Sequence, residues 1–133
     1  MIQTVSVILP VRNEEKYISR CLDSIVGQDL ISICSMAKVY VQASVHEGFG
    51  CSLEEAMLCE CIPVVSRNGA IPEVAGDVGI YVNELTLENV AEKIKYALSL
   101  PDDYGIEARK RILDNFSYDN RKMKILKVIE ELS

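Results

Sequence analysis

Apolar and polar residues alternate in blocks along the chain, and this pattern predicts strands separated by helices. Runs rich in valine and isoleucine predict strands at residues 5–9, 39–41, 62–65 and 79–82. Apolar residues that recur every three or four positions predict helices at 14–28, 30–37, 52–58, 87–100, 104–115 and 118–132, with a short turn at 73–75. Thr86 is the predicted N-cap of the fourth helix, and Pro101 follows its end.

The order of these elements predicts the fold class. Each crossover between strands is long enough for a parallel connection, which favours an α/β fold. We expect a small Rossmann-like open parallel sheet of about four strands with helices on both faces. A chain of 133 residues with 49% apolar composition can bury one core without disulfides or a structural metal. We therefore expect a single domain over residues 1–133.

Charge and cysteine content narrow the classes of partner. The formal net charge of -6 opposes binding to a phosphate backbone, so we expect no nucleic-acid partner. No apolar run approaches the roughly 20 residues of a membrane span, and no basic-then-apolar leader opens the chain. We therefore expect a soluble, cytoplasmic protein without a transmembrane segment. The cysteines do not indicate a metal site. The 5 cysteines, an odd number, fit a reducing compartment. Cys59 and Cys61 lack a second pair of metal ligands, so we expect no metal.

The loop at residues 44–52 carries the most suggestive chemistry of the three loops that follow predicted strands, the others being 10–14 and 66–72. Ligands of open α/β sheets bind beyond the carboxyl ends of the strands. Gly48 and Gly50 allow the backbone to approach a ligand closely, and the next helix can offer its amides to a phosphate. Glu47 and Glu55 flank this turn. Since a carboxylate accepts two hydroxyl hydrogens, the pair fits a sugar nucleotide, in which phosphate lies between two polyols.

Some of these residues also have a purely structural interpretation. Ser52 and Glu55 have the spacing of a capping box, in which each side chain accepts from a backbone amide of the other residue. The Phe49 side chain is interpreted as a loop anchor. His46 is interpreted as a solvated loop residue or, alternatively, a general base.

The last predicted helix has two kinds of surface. Its basic residues are typical of a solvated helix face: Arg121, Lys122, Lys124 and Lys127. Its apolar residues have the spacing of a core face or of a dimer seam: Met123, Leu126, Ile129 and Leu132.

Two motifs around the glycine turn carry a family resemblance. Residues 47–50 read Glu-Gly-Phe-Gly and residues 55–57 read Glu-Ala-Met, with seven residues between the two glutamates. Residues 61–65, 69–74, 76–79 and 116–118 continue the similarity. From about residue 31 to residue 132, the chain resembles the C-terminal half of the nucleotide-binding domain of retaining GT-B glycosyltransferases of group 1, or family four. Glu60 stands where this family usually has a helix-ending glycine, so we expect a non-glycine residue in a left-handed cap.

The resemblance implies a role for each residue of the motif. Glu47 is expected to reach hydroxyls of the transferred sugar, and Glu55 the ribose of a nucleoside diphosphate sugar donor. The backbone amides of Phe49, Gly50 and Cys51 are expected near the sugar and phosphate, with Gly48 completing the turn. No metal and no other cofactor are implied.

Residues 1–28 resemble a different family. The segment 5–15, with residues 21–25 and 28, is similar to the opening of inverting family-two glycosyltransferases of the GT-A type, although their Asp-x-Asp metal motif is absent downstream. The chain therefore divides near Asp29 into a β-α unit at 1–28 and a GT-B-like half-domain at 31–133. The first strand is expected beside residues 39–41. It either brings Arg12, Asn13 or Lys16 to the phosphates or base, or it only completes the core.

Two functions from different classes follow. In the first, the domain binds a nucleoside diphosphate sugar and transfers a hexose with retention when a separate chain supplies the acceptor domain. In the second, it is a non-catalytic remnant, or an assembly module that forms a homo-oligomer through its sheet edge and last helix. A third interpretation, an inverting enzyme, would require manganese-dependent binding of a uridine nucleotide.

Overall fold

The computed structural model describes the backbone of residues 4–7, and residues 30–45, 48 and 50–132. Its strands are β1 (Thr4–Val7), β2 (Ala37–Gln42), β3 (Ile62–Ser66) and β4 (Ile80–Val82). Its α-helices are α1 (Leu30–Met36), α2 (Cys51–Leu58), α3 (Ile71–Ala75), α4 (Leu87–Ser99), α5 (Asp103–Phe116) and α6 (Tyr118–Glu131). A 3₁₀ turn at Gly76–Val78 joins α3 to β4. The predicted helix at residues 14–28 lies outside the described residues.

The four described strands form one parallel sheet in the order β1-β2-β3-β4. Val5 pairs with Val39, Val39 with Ile62, and Val64 with Ile80. The predicted α/β class and the small open parallel sheet are therefore confirmed. The first strand lies beside β2, as expected from its sequence.

Helices cover both faces of the sheet, so strands β2 and β3 are buried on both sides. On one face, α2, α3 and α5 contribute five fully buried side chains to a core: Leu53, Met57, Ile71, Val74 and Ala108. On the other face, Val39, Val41, Ile62, Val64 and Val82 pack against α4. A strand that is buried on both faces reads as a continuous apolar run, which is why the sequence pattern located β3 so well.

The end of α2 has the backbone geometry of a Schellman motif. Glu60 adopts φ 67°, in the left-handed region that favours glycine. The Glu60 amide donates to the Met57 carbonyl at 3.0 Å, and the Cys61 amide donates to the Ala56 carbonyl at 3.1 Å. The predicted left-handed cap with a non-glycine residue is therefore confirmed. This end of α2 packs against α5 so tightly that a Cβ on Gly105 would lie 2.1 Å from the Glu60 carbonyl oxygen.

The exposure of helix α6 contradicts the interpretation that its apolar residues form a core face. Ser117 ends α5 and caps α6, because its hydroxyl accepts from the Asn120 amide at 3.3 Å. No residue of α6 is buried. The four side chains predicted for a core face or a dimer seam are 43–83% exposed, so the core interpretation is wrong: Met123, Leu126, Ile129 and Leu132. The apolar residues of α6 do recur with helical spacing, but the contacts that this helix makes with the described residues leave none of its residues buried.

No described helix is long and apolar enough to cross a membrane.

Candidate functional site

At the carboxyl edge of the sheet, one backbone carbonyl accepts hydrogen bonds from two side chains. Ser44, just beyond the end of β2, accepts from the Ser66 hydroxyl at 2.6 Å and from the Asn68 side-chain amide at 3.0 Å. Ser44 and Ser66 are buried. These hydrogen bonds join the segment after β2 to the last residue of β3 and to the loop that follows it, so Ser44 has a fixed position at the carboxyl edge of the sheet.

Helix α2 begins directly after the turn, at Cys51. Gly50 is its N-cap and has φ 83°, in the left-handed region that favours glycine. Space does not require glycine here, because a Cβ on residue 50 would meet only the Leu53 Cβ, at an ordinary contact distance of 3.9 Å. The Gly50 carbonyl accepts from the Leu53 and Glu54 amides at 2.9 and 3.2 Å. Among the described residues, the amides of Cys51 and Ser52 have no acceptor, as is usual for the first turn of a helix. Cys51 and Ser52 are exposed residues, and Cys51 is one of the residues whose amide the resemblance implies near the sugar and phosphate.

The predicted capping box is wrong. Because α2 starts one residue earlier than expected, Ser52 lies inside the helix, and Gly50 caps it with no side-chain hydrogen bond. Glu55 is exposed and takes part in no capping interaction in the described part of the chain. The structural explanation for Glu55 is thereby removed, and its carboxylate remains accessible on the second turn of the helix.

The other predicted site residues are described only in part. Gly48 is exposed, and a Cβ there would meet nothing within 4 Å, so the turn is open to solvent at this position. Glu47, Phe49 and the alternative candidate His46 lie outside the described residues. The convergence of the Glu47 and Glu55 carboxylates therefore stays a prediction.

The three candidate phosphate or base contacts of the N-terminal unit, Arg12, Asn13 and Lys16, also lie outside the described residues. Strand β1 pairs with β2 in parallel register through Val7 and Val41, which puts its carboxyl end at the same edge as the glycine turn. Both interpretations of this unit, ligand contact and core completion, share that placement.

Glu55 also lines a cavity of about 560 Å³ between α1, α2 and α5. Cys34 and Cys59 line the same cavity, and the Arg109–Glu60 ion pair, at 3.2 Å, lies at its edge. Burial raises the pKa of the Cys34 thiol, and the neighbouring Cys59 adds to this shift. Both cysteines are free thiols in the structure. No group of three or more potential metal ligands occurs among the described residues.

A second cavity, of about 200 Å³, lies beside the first turn of α2 and was not predicted. It is lined by Glu54, Glu73, Asn115, Phe116, Arg121 and Lys124. Burial raises the pKa of the Glu54 carboxyl, against a smaller lowering by Arg121. Glu54 Oε1 is buried without a hydrogen-bond partner in the described structure. The sequence held one signal for this site, since Glu54 is three residues before the buried Met57 and therefore shares its side of the helix.

The fold and the turn define the class of protein. An open parallel sheet, helices on both faces and a glycine-capped helix at the carboxyl edge make this a Rossmann-like α/β domain. The model of the family described as "Glycosyl transferases group 1" matches residues 22–116. The chain belongs to this family. The match begins before the predicted start at about residue 31, and the family-two resemblance of residues 1–28 stays a prediction.

Curated relatives agree with the family. The chain is 32% identical over 112 residues to α-maltose-1-phosphate synthase of Mycolicibacterium smegmatis, covering 76% of this chain and 29% of that protein. It is 35% identical over 85 residues to O-antigen chain mannosyltransferase B of Escherichia coli, covering 63% of this chain and 22% of that protein. The chain therefore spans less than a third of the length of these relatives.

Proposed function

We propose that this chain binds a nucleoside diphosphate sugar at the carboxyl edge of its sheet. One observation carries the proposal: Glu55 is an exposed carboxylate without a capping role, on the second turn of the helix that the left-handed Gly50 opens. Seven residues separate it from Glu47, the spacing of the group 1 glycosyltransferases. In this proposal, Glu55 accepts hydrogen bonds from the ribose and Glu47 from the sugar to be transferred.

The helix start supplies the complementary chemistry for phosphate. The Cys51 and Ser52 amides point out of the first turn of α2, where the helix dipole favours negative charge. The formal charge of the whole chain is -6, so attraction of the diphosphate depends on these local donors rather than on the mean field. Cys51 and Ser52 lie between Glu47 and Glu55 in the sequence, so a phosphate bound by their amides would lie between the two carboxylates. This order matches that of a sugar nucleotide, in which phosphate links the sugar to the ribose.

We propose glycosyl transfer with retention as the activity of the whole assembly. The two relatives compared above are about three times as long as this chain, since the aligned stretches of 112 and 85 residues cover 29% and 22% of them. The remaining part of such an enzyme would hold the acceptor, either in a separate chain or in a longer form of this protein. Transfer requires no metal in this proposal, because the carboxylates bind hydroxyl groups and the amides bind phosphate.

Titration calorimetry with UDP, GDP and their glucose and mannose derivatives tests the donor site. We expect saturable binding of at least one nucleotide sugar, unchanged by EDTA. Glu55→Gln and Glu47→Ala should weaken it roughly ten- to hundredfold, the range for losing a hydrogen bond to a charged group. Glu107→Gln on α5, another exposed carboxylate, is the matched control and should bind as the unaltered chain does.

Flat heats with every nucleotide would refute the proposal for this chain. Equal affinity of Glu55→Gln and Glu107→Gln would refute the role of Glu55. Binding that EDTA abolishes and manganese restores would instead support the inverting, family-two interpretation of the N-terminal segment.

One observation favours the second candidate, an assembly module. Helix α6 exposes Ile125, Val128 and Ile129 by 53–55% each, and a helix whose apolar side chains remain in water contributes little to stability. Light scattering of the purified chain tests self-association. A monodisperse monomer would exclude the homo-oligomer, whereas a defined dimer without nucleotide binding would favour the module over the enzyme.

A further inference from the structure

The 200 Å³ cavity beside α2 contains a group that the fold alone does not explain. Buried polar atoms in proteins nearly always have a hydrogen-bond partner, and each exception calls for a water, an ion or a ligand. Glu54 Oε1 is buried and unpartnered within the described structure. The cavity that it lines also receives Glu73 from the first turn of α3.

The position of this cavity connects it with the ligand-binding edge of the sheet. Helices α2 and α3 each begin after a strand of a parallel sheet, so their first turns lie at the carboxyl edge. Glu54 and Glu73 stand in those first turns. Phe116 at the end of α5 and Arg121 of α6 also line the cavity, and Arg121 is close enough to Glu54 to lower the pKa of its carboxyl against the larger effect of burial.

The charges of the lining indicate which kind of ligand fits. Two carboxylates and two cations line the same cavity, and the two cations, Arg121 and Lys124, are three residues apart on one face of α6. A small anion would meet Glu54 and Glu73, and a small cation would meet Arg121 and Lys124, so neither sign is favoured. A neutral molecule with many hydroxyl groups uses both, because hydroxyls donate to carboxylates and accept from guanidinium and ammonium groups.

Size and the aromatic residue agree with this conclusion. The volume of about 200 Å³ is below the range of roughly 300–1,000 Å³ for drug-sized ligands, so the cavity suits one small ring. Phe116 is partly buried in the core and presents an apolar surface beside the polar groups. An aromatic ring with carboxylates around it matches a sugar, which has an apolar face and a polar rim.

We propose that this cavity is a carbohydrate subsite that binds one neutral sugar ring, with Glu54 and Arg121 as hydrogen-bonding partners of its hydroxyls. This subsite is distinct from the proposed donor site at Glu47 and Glu55, since Glu55 does not line this cavity. The ring could belong to the donor or to an acceptor glycan, and both present the same hydroxyl chemistry.

The absence of tryptophan from the chain provides a selective test. Phe116→Trp introduces a single tryptophan at the cavity, and its emission is followed during titration with methyl α-D-mannopyranoside and methyl α-D-glucopyranoside. Tyr96→Trp, at a 53% exposed position on α4, is the matched reporter outside the cavity. Saturation-transfer NMR with the same glycosides on the unaltered chain gives a result that does not depend on the new side chain.

We expect a saturable change at Phe116→Trp and none at Tyr96→Trp. Adding Glu54→Gln or Arg121→Gln should weaken glycoside binding roughly ten- to hundredfold, whereas adding Glu107→Gln should not. A nucleotide sugar that displaces the glycoside identifies the ring as the donor's, and simultaneous binding identifies it as an acceptor's.

Three results would overturn the proposal: no saturable signal by either method, equal binding in the Glu54→Gln and Glu107→Gln variants, or preferential binding of inorganic phosphate in place of the glycosides. The calorimetric test of the donor site is separate. Loss of nucleotide binding in Glu55→Gln with retained glycoside binding would leave this subsite standing, and the reverse result would leave only the donor site.

Discussion

Replacing Glu60 with glycine should stabilise the protein. Glu60 ends α2 at φ 67°, where an L-residue with a Cβ is strained by roughly 1–2 kcal/mol. Glycine removes this strain, but it increases the conformational entropy of the unfolded chain by an amount worth about 0.4–1 kcal/mol. The backbone change alone should therefore raise the free energy of unfolding by about 1 kcal/mol.

The same substitution also removes an ion pair. Glu60 Oε1 lies 3.2 Å from Arg109 Nη1, and the two side chains are 46% and 51% exposed. An exposed pair of this kind contributes about 0–1 kcal/mol. Glu60→Ala separates the two effects, because it loses the ion pair but keeps a Cβ at the strained position. We expect the free energy of unfolding of Glu60→Gly to exceed that of Glu60→Ala by about 1 kcal/mol. It should exceed that of the unaltered chain by a smaller amount, because the unaltered chain keeps the ion pair.

Urea denaturation and thermal melting followed by circular dichroism measure the difference. A gain of about 1 kcal/mol corresponds to a rise in Tm of roughly 3–5 °C for a domain of this size. Asparagine tolerates the left-handed region better than alanine, so Glu60→Asn should fall between the other two variants. If Glu60→Gly melts at or below Glu60→Ala, the left-handed cap is not a source of strain and the reasoning is refuted.

Two further predictions concern the surroundings of this cap. Gly105→Ala should lower the free energy of unfolding by about 1–3 kcal/mol in urea melts, because the new Cβ would lie 2.1 Å from the Glu60 carbonyl oxygen; Lys110→Ala on the exposed face of the same helix should be nearly neutral. Burial raises the pKa of the Cys61 thiol from 9.0 to about 12, and its Sγ donates to the Cys34 and Ala37 carbonyls. The unfolded thiol ionises first, so stability should fall between about pH 9 and 12, by up to about 4 kcal/mol, and Cys61→Ala should flatten this dependence. An unchanged slope in Cys61→Ala would contradict the assignment, as would a Gly105→Ala variant of full stability.

The fold was predictable because its central strands are apolar on both faces. The runs around Val39 and Val64 are short, β-branched and bounded by polar residues, so strand and burial follow from the same pattern. Thr86 marks the start of α4 correctly for a similar local reason, since its hydroxyl accepts from the Asn89 amide three residues later. Local signals of this kind do not depend on which elements become neighbours.

The site was predictable only where the backbone decides it. The glycine turn and the start of α2 were located from Gly50 and the residues after it, although Ser52 was assigned to the cap because its spacing to Glu55 also satisfies a capping box. Glu54 was overlooked because its surroundings come from α3, α5 and α6, which are distant in sequence. The exposure of α6 was not predictable for the same reason. Periodicity identifies an apolar stripe on a helix, but it does not show whether another surface covers that stripe.

The Ser44 carbonyl has a consequence for how this domain can vary. Two donors, one from the last residue of β3 and one from the loop after it, converge on one acceptor after β2, so the two connections share an anchor upstream of the glycines. Insertions or deletions between this anchor and α2 would reshape the turn without displacing the strands. A change of length on the strand side of the anchor would instead shift both connections at once, so variation among homologues should concentrate on the outer side.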